Sequence, residues 1–343
     1  MPADAVATQD YFVEEDSRLA ALPILLLNVH ERCNCRCVMC DIWKREKSGE
    51  IDIPALERHL GSLRMLGTRQ VVLTGGEPLL HSRLGDLCAV LKTCGVHITM
   101  LTTGLLLAKH AMTVAAGVDE LIVSIDGPEE VHDQIRRVRG GFQLIREGVL
   151  AVRKLKSSMP IHGRSTIQKL NYFCLRGTVQ AAKTLQLDSL SFLAADLTSQ
   201  AFNRELIWPV ERQSEIALNA MQVAAFEEEI ELLIEECKED LATQYIREHS
   251  EKLRRLSRRF REHLGEFAPQ APVCNAPWVS AVVELNGSVR PCFFHHEIGN
   301  LDKGTLAEVL NSSEAREFRR TLNVADNPIC KRCVCSLHYK GSA

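Results

Sequence analysis

Hydrophobic positions change their spacing repeatedly between residue 23 and about residue 195. Short apolar runs predict six strands, at 24–29, 70–75, 96–102, 120–126, 161–167 and 189–195. Amphipathic stretches with helical spacing lie between them, around 54–66, 82–93, 105–116, 142–157 and 175–186. Strands that alternate with helices are typical of parallel sheets joined by crossover helices. Six units are too few for a closed eight-stranded barrel, so the pattern predicts an α/β fold built as a partial (β/α)6 barrel.

A helical pattern replaces this alternation in the next part of the chain. No Gly or Pro occurs from Glu211 to Leu264, and this stretch is rich in Glu, Lys, Arg and Leu, which predicts two helices. The first is acidic and the second basic, so we expect them to dock antiparallel with complementary charge. The pattern is typical of a solvated helical hairpin, and an arm that binds a partner is the alternative.

Several prolines between residues 269 and 277 introduce a last module. Within it, Asn286-Gly287 predicts a hairpin turn and residues 305–322 predict a helix. The chain is therefore predicted to have four parts: an N-terminal segment at 1–22, the partial barrel at 23–198, a helical insert at 199–268 and a small cysteine-rich region at 269–343.

Charge and hydropathy restrict the partners. The 343 residues carry a formal net charge of -3 and the pI is about 6.5, so bulk charge gives no attraction to nucleic acid or to an anionic membrane. The longest apolar run, at 19–29, contains Pro23 and is too short to cross a bilayer, and no signal-peptide pattern precedes it. We expect a cytoplasmic protein with no nucleic-acid or membrane partner.

Cysteines are numerous and grouped. Of thirteen, four lie within residues 33–40 and three within 330–335, while Cys274 and Cys292 stand between these groups. In a reducing compartment, grouped cysteines bind metals more often than they form disulfides. The four scattered cysteines are typical of small buried hydrophobic residues: Cys88, Cys94, Cys174 and Cys237.

The segment at residues 33–40, here called the first cysteine loop, follows the first predicted strand. Cys33, Cys37 and Cys40 can converge on three corners of a cubane [4Fe-4S] cluster and leave the fourth iron without a protein thiolate. An open iron can chelate the amino and carboxylate groups of a cofactor. Cys35 allows an alternative, because four close thiolates also suit zinc or a closed cluster.

With Cys33, Cys37 and Cys40 at this spacing, ERCNCRCVMCDIW resembles the signature of the radical S-adenosylmethionine (SAM) superfamily. The resemblance implies a cluster bound with SAM, and it places Met39 near the adenine. TGGEPL (74–79) ends the second predicted strand, where two glycines permit close backbone approach. It is similar to the superfamily motif for the amino group of SAM, formed here by Gly75, Gly76, Glu77 and Pro78.

Other strand ends extend this resemblance. Thr103 stands where the superfamily usually has an amide side chain. Ser124 and Asp126 are implied to line the SAM pocket, although Asp126 also suits the cap of the following helix. Arg136 suits either the SAM carboxylate or a structural ion pair. Residues 165–168 are expected near the adenine and ribose.

The cysteine-rich region resembles the SPASM/Twitch auxiliary-cluster region of a radical SAM subfamily. Its ligands are implied to be four residues: Cys274, Cys292, Cys330 and Cys333. With fewer cysteines than a full SPASM region, it resembles the shorter Twitch type and implies one auxiliary [4Fe-4S] cluster. Cys335 is an alternative to Cys333, and structural zinc is an alternative to iron.

The resemblance implies an enzyme that reductively cleaves SAM to a 5′-deoxyadenosyl radical, with a flavodoxin- or ferredoxin-type electron donor. Only 32 residues precede Cys33, which does not fit a leader-binding domain and favours a small-molecule biosynthetic substrate, oxidised or epimerised. A maturase of a ribosomal peptide is the alternative. Weak hydrogen-donor candidates are Cys174, Cys35 and Cys335. A hypothesis of another class is a non-enzymatic electron-transfer or zinc-binding protein.

Overall fold

The fold was analysed in a computed structural model that describes residues 17–46, 48–202, 204 and 206–341. Most of the predicted N-terminal segment, residues 1–16, lies outside the described residues. Within the described part of the chain, no helix is long and apolar enough to cross a membrane.

The prediction of a mixed α/β fold with six parallel strands and a C-terminal cysteine-rich region is confirmed. The strands are β1 (Ile24–His30), β2 (Gln70–Gly75), β3 (His97–Thr102), β4 (Glu120–Ser124), β5 (Ile161–Ile167), β6 (Ser189–Ala194), β7 (Ser280–Val283), β8 (Ser288–Arg290) and β9 (Gly299–Asn300). The helices are α1 (Ile53–Glu57), α2 (Leu60–Met65), α3 (Leu84–Lys92), α4 (Leu107–Gly117), α5 (Glu129–Arg136), α6 (Gly141–Leu155), α7 (Leu175–Thr184), α8 (Val210–Ser214), α9 (Ala220–Glu236), α10 (Lys238–Ala242), α11 (Ser250–His263), α12 (Ala276–Val279), α13 (Leu306–Leu310), α14 (Ser313–Thr321) and α15 (Pro328–Lys331).

The chain divides into two compact units. The first comprises the described residues of Met1–Arg32, Glu46–Met100 and Gln270–Ala343. In it, β1 pairs in parallel with β2 on one side and with β7 on the other, and β2 pairs in parallel with β3. The antiparallel strands β7, β8 and β9 follow, with Gly287 at φ +79 in the turn that Asn286-Gly287 predicts. The cysteine-rich region therefore continues the sheet of the first unit.

The second unit comprises Cys33–Arg45 and the described residues of Leu101–Pro269. Here β5 pairs in parallel with both β4 and β6. Alternate residues of β5 are fully buried and apolar or small, while those between are half-buried and include Arg164. This two-residue period gives the sheet one packed face and one accessible polar face.

The helices after β6 differ in number from the prediction. Four helices, not two, occupy the stretch between Glu211 and Leu264. The longest, α9, starts at a capping box formed by Asn219 and Gln222, a local signal that divides the charged stretch. The predicted pairing of acidic and basic helices is confirmed, because Arg254 and Arg261 of α11 form ion pairs with glutamates of α9.

The helix predicted over residues 305–322 is two helices, α13 and α14. The first ends at Leu310, and Ser312 caps the second, since its side chain accepts a hydrogen bond from the Ala315 amide. The prediction overlooked this cap because the apolar spacing continues across it.

Candidate functional site

The first cysteine loop lies beside the end of α5. The Val38 amide donates to the Ile135 carbonyl at 3.0 Å, and the Arg36 amide donates to the Arg136 carbonyl at 3.2 Å. Cys35, Cys37, Val38 and Met39 belong to one buried apolar cluster, and Cys33 and Cys40 pack against it. The three predicted cluster ligands are therefore held together on one ordered turn.

Thiols of the loop influence one another. A hydrogen bond with Cys35 lowers the pKa of Cys37 to about 6, with the Arg136 guanidinium acting in the same direction. Hydrogen bonds with Cys33 and Cys37 raise the pKa of Cys35 well above its ordinary range. Burial raises the pKa of Cys40 to about 12, to which the charges of Cys37 and Cys33 contribute. Thiolates crowded in this way suit a cationic metal centre, which would relieve their repulsion.

Arg136 and Asp126 form a buried ion pair. Arg136 Nε lies 2.6 Å from Asp126 Oδ2, and the aspartate side chain is 0% exposed. Asp126 Oδ1 also accepts from the Thr166 amide at 2.9 Å, so this side chain does not cap α5. Arg136 Nη1 donates to Cys37 Sγ at 3.4 Å. Of the two predicted roles for Arg136, the structure thus contains the structural ion pair.

Three buried polar atoms without partners lie on the first cysteine loop and at the end of β5. Among the described residues, Asn34 Nδ2, Ser165 Oγ and Gln168 Oε1 are buried without a hydrogen-bond partner. Gln168 Nε2 donates to Met39 Sδ at 3.6 Å, and Thr103 donates to Asn34 Oδ1 at 2.9 Å. Buried polar groups are normally satisfied, so orphaned ones indicate a missing ligand. A polar, nucleotide-like cofactor such as SAM fits this set.

A clamp formed by Arg204, Trp208 and Asp41 holds the loop from its other side. Arg204 is buried, lies 2.5 Å from Asp196 Oδ2 and donates to the Met39 carbonyl at 3.4 Å. The Trp208 ring stacks on its guanidinium at 3.7 Å, and Trp208 Nε1 donates to Asp41 Oδ2 at 2.6 Å. The sequence prediction missed this clamp, because Arg204 and Trp208 are more than 150 residues away in the chain from Met39 and Asp41, which they contact.

The accessible face of β4–β6 is polar near its centre. Ser124 on β4, Arg164 on β5 and Ser191 on β6 are register partners and therefore share a face. Arg164 Nε donates to Ser191 Oγ at 3.3 Å. A half-buried guanidinium there can bind an anionic or carbonyl group of a ligand. The sequence prediction included Ser124 and missed Arg164, whose signal is a charged residue inside an otherwise apolar strand pattern.

The glycine turn after β2 belongs to the first unit. A Cβ at Gly75, whose φ is +117, would lie 2.7 Å from the His30 carbonyl oxygen, and a Cβ at Gly76 would overlap the Arg32 carbonyl. The amides of Gly76 and Glu77 donate to these carbonyls at 2.8 Å. The turn therefore fixes the backbone that leads directly into Cys33.

Glu77 and Pro78 continue this turn. Glu77 is fully buried, and its Oε1 accepts from the Leu79 amide at 3.0 Å. Pro78 begins the short 3-10 turn that this carboxylate caps. The prediction that residues 75–78 bind the SAM amino group stays a prediction.

The C-terminal cysteines lie together in the first unit. Burial raises the pKa of Cys330 to about 12, with contributions from the charges of Cys292 and Cys274. Burial also raises the pKa of Cys333, to which Cys335, Cys292 and Cys274 contribute. Cys333 Sγ donates to the Cys335 carbonyl at 3.2 Å. The charges of neighbouring cysteines thus contribute to the raised pKa values of Cys330 and Cys333, which indicates that these thiols lie near Cys274 and Cys292. Grouped thiols of this kind are donors that suit a metal cluster.

His295 is a further member of this group that the sequence prediction missed. Its Nε2 lies 3.3 Å from Cys330 Sγ, and the imidazole is almost fully buried. Burial lowers the pKa of His295 to about 4, in the same direction as the charges of His296 and Arg290. Only its separation of three residues from Cys292 offered a sequence signal.

The cysteines outside the two groups are also free thiols. None of the thirteen cysteines, all within the described residues, forms a disulfide. Cys174 precedes α7, and burial raises its pKa to about 11, so it stays protonated at neutral pH. In the described part of the chain, no three His, Cys, Asp or Glu side chains are already arranged to hold a single metal ion, so neither cysteine group is a preformed metal-ion site.

Two families match separate parts of the chain. Residues 27–167 match the radical SAM superfamily, and residues 274–334 match an iron–sulfur cluster-binding domain, SPASM. The first match runs from the middle of β1 to the end of β5 and includes the first cysteine loop and the glycine turn. The second spans Cys274, Cys292, Cys330 and Cys333.

Sequence relatives include enzymes with different substrates in their names. An AdoMet-dependent heme synthase of Methanosarcina barkeri is 29% identical over 158 residues. The match covers 45% of this chain and 45% of the synthase, so the chain spans less than half of this relative. A PqqA peptide cyclase of Rhodopseudomonas palustris is 22% identical over 324 residues, which covers 90% of this chain and 78% of the cyclase.

Solved structures share the fold. SuiB of Streptococcus suis bound to its precursor peptide SuiA has a TM-score of 0.63 at 14% identity, covering 97% of this chain and 74% of SuiB. The cysteine spacing, the parallel sheet and the two family matches agree with one another. This chain therefore belongs to the radical SAM superfamily and carries a SPASM domain.

Proposed function

We propose that this chain is a radical SAM enzyme in which Cys33, Cys37 and Cys40 hold a [4Fe-4S] cluster with one iron open to SAM. The observation that carries the proposal is that Cys33, Cys37 and Cys40 share one loop, on which burial and the charges of Cys37 and Cys33 raise the pKa of Cys40. Buried polar atoms without partners lie on the same loop and at the end of β5. Such a cluster with SAM bound supplies the electron that splits the sulfonium into methionine and a 5′-deoxyadenosyl radical.

The chain's own residues position this chemistry. Arg136 favours the thiolate form of Cys37, which a metal ligand requires. The clamp of Arg204, Trp208 and Asp41 fixes the backbone around Met39. In the second unit, we assign SAM contacts to the orphaned atoms and their neighbours: Asn34, Met39, Thr103, Ser124, Ser165 and Gln168. Asp126 and Arg136 position the loop.

One auxiliary [4Fe-4S] cluster is proposed at Cys274, Cys292, Cys330 and Cys333, with Cys335 as the alternative to Cys333. The mutual effect of these thiols on their pKa values supports this assignment, as does the SPASM match. Iron would offset the negative charge of these half-buried thiolates, which otherwise repel one another.

For the substrate, we favour a peptide over a small molecule. The PqqA peptide cyclase matches nearly the whole chain, and SuiB, which shares the fold, has been solved with its precursor peptide. The comparisons thus support the peptide maturase alternative better than the small-molecule hypothesis. In this proposal the polar face at Arg164 meets a carbonyl or carboxylate of the peptide near the reacting side chain.

A small-molecule substrate is the second candidate. Two AdoMet-dependent heme synthases and two GTP 3′,8-cyclases match 33–45% of the chain at 25–36% identity. Because each of these matches covers less than half of the chain, they bear less on substrate choice than the match of the PqqA peptide cyclase over 90% of it. Net oxidation and epimerisation both stay proposals, with Cys174 as a protonated thiol able to donate hydrogen.

The radical function is tested by anaerobic reconstitution with iron and sulfide, followed by dithionite and SAM. We expect 5′-deoxyadenosine above an enzyme-free control, and its loss in Cys37→Ala but not in Cys94→Ala, a cysteine of the α3–β3 turn. If the wild-type protein forms none, the electron-transfer or zinc-binding hypothesis replaces this proposal.

The substrate class is tested with the same enzyme and peptides encoded beside its gene. A peptide substrate should increase 5′-deoxyadenosine formation at least about tenfold. Oxidation or an intramolecular cross-link should lower its mass by two hydrogens, and epimerisation should leave the mass unchanged but introduce one deuterium from D2O solvent. The second candidate is correct if every such peptide is unchanged, while a small-molecule intermediate made by enzymes encoded beside the gene stimulates 5′-deoxyadenosine formation.

A further inference from the structure

His295 occupies a position beside the C-terminal cysteines that the proposed function does not use. Its Nε2 lies 3.3 Å from Cys330 Sγ, within hydrogen-bonding distance for sulfur. The ring packs edge-on against Phe318 of α14, with 5.0 Å between ring centroids. The His295 carbonyl accepts from Arg290 Nε at 2.8 Å, which fixes the backbone. The imidazole is therefore held in place from two sides.

The chemistry of the pair fixes the direction of this hydrogen bond. A cysteine that ligates iron is a thiolate, which can accept a hydrogen bond but cannot donate one. With Cys330 as a ligand, Nε2 of His295 must carry a hydrogen and donate a hydrogen bond to the sulfur. Hydrogen bonds to ligating sulfurs are among the features that set the potential of an iron–sulfur cluster.

We propose that His295 is a positioning residue that donates a hydrogen bond to Cys330 and raises the reduction potential of the auxiliary cluster. This inference rests on the proposed function, because it requires Cys330 to ligate that cluster. Reduction adds negative charge to a cluster and its thiolates, so a donor to sulfur stabilises the reduced state more than the oxidised state. The cluster then accepts an electron more readily.

The proposal is tested in a Cys33/Cys37/Cys40→Ala background, in which only the auxiliary cluster can assemble. Potentials are measured by anaerobic redox titration with the cluster's electron paramagnetic resonance signal. In His295→Leu, which lacks a donor, we expect the equilibrium constant for one-electron reduction to be about tenfold lower. This corresponds to a reduction potential about 59 mV more negative. His295→Gln keeps a side-chain N–H, so we expect it to restore part of the loss.

His296→Leu is the matched control, because His296 is the exposed neighbour of His295 in the chain. We expect it to leave the potential within experimental error. Iron content is measured for every variant, so that a change in potential is compared at full cluster occupancy.

Three results would overturn the inference. A wild-type potential in His295→Leu at full iron content would show that the contact does not influence the cluster. Loss of iron in both His295 variants would make His295 a ligand and not a donor. Zinc in place of iron in the triple variant itself would refute the auxiliary cluster, and this outcome identifies a failure of the proposed function before His295 is changed.

Discussion

Cys37 is the member of the first cysteine loop with the strongest charged neighbour. Arg136 contacts its sulfur and also neutralises Asp126, which lies two residues after the end of β4. One guanidinium thus serves a thiolate and a buried carboxylate together. The sequence offered both an ion pair and a ligand contact for Arg136, and neither its spacing nor its type could select between them.

Arg136→Met should therefore destabilise the metal-free protein by about 3–5 kcal/mol, because it leaves the buried Asp126 carboxylate without its partner. The double variant with Asp126→Asn should recover part of this loss. The free energy of unfolding is measured by urea titration. Arg254→Met, which breaks an exposed pair, is the control and should change little. If Arg136→Met and Arg254→Met lower the free energy of unfolding by the same amount, the Arg136–Asp126 pair does not contribute as a buried pair.

His132 gives the second unit a defined response to acid. Its Nδ1 accepts from the Asp126 amide, and burial lowers its pKa to about 3. The imidazole therefore binds a proton at higher pH in the unfolded state than in the folded state. The contribution of neutral His132 to the free energy of unfolding is complete above about pH 6.5 and is lost as the pH falls towards 3.

We expect His132→Asn, which keeps an acceptor, to reduce this acid dependence. Between about pH 6 and pH 4, the slope of the unfolding free energy should fall by about 1.4 kcal/mol per pH unit relative to the wild type. Denaturant titrations of both proteins across that range measure the slope. An unchanged slope would show that His132 is not the group responsible.

Among the elements, the segment between β6 and α8 contributes most to the loop without belonging to the sheet. It supplies Arg204 and Trp208, which contact Met39 and Asp41. The sequence indicated only an interruption of the β/α alternation here. Contacts between residues this far apart in the chain leave no periodic signal, so only the folded chain identifies them.

Trp208→Phe keeps an aromatic ring but removes the donor to Asp41. A hydrogen bond to a charged group contributes about 1.5–3 kcal/mol, so amide exchange at residues 38–41 should be at least about tenfold faster. Hydrogen–deuterium exchange with mass spectrometry measures this rate. Trp278→Phe, in the first unit, should leave these amides unchanged, and the same exchange rate in both variants would argue against the clamp.

The glycine turn makes an equally local prediction. Gly76→Ala should destabilise the protein by at least about 1–3 kcal/mol, because the new Cβ overlaps the Arg32 carbonyl beside the first cysteine loop. Gly61→Ala is the matched control, since no atom lies within 4 Å of its added Cβ and it lies inside α2. We expect this control to stabilise the protein by about 0.5–1 kcal/mol. Thermal unfolding measures both variants. A melting temperature of Gly76→Ala above that of Gly61→Ala would contradict the close approach of residue 76 to the Arg32 carbonyl.

For the whole molecule, the sequence predicted the six parallel strands closely, because strand and helix periods are local properties that neighbouring residues express together. Helix breaks at Asn219 and Ser312 were missed, since single caps do not interrupt an apolar pattern. Cysteine spacing indicated both candidate clusters. It could not indicate His295 or Arg164, whose relevance depends on which strands or loops become neighbours.

The central claim is that the first cysteine loop holds a cluster with an iron open to SAM. The most direct measurement uses a variant with Cys274, Cys292, Cys330, Cys333 and Cys335 changed to Ala, reconstituted and reduced, and its electron paramagnetic resonance spectrum with and without SAM. We predict a four-iron cluster whose spectrum changes on adding SAM, because the cofactor binds the open iron. A cluster with the same spectrum in both samples would contradict the account.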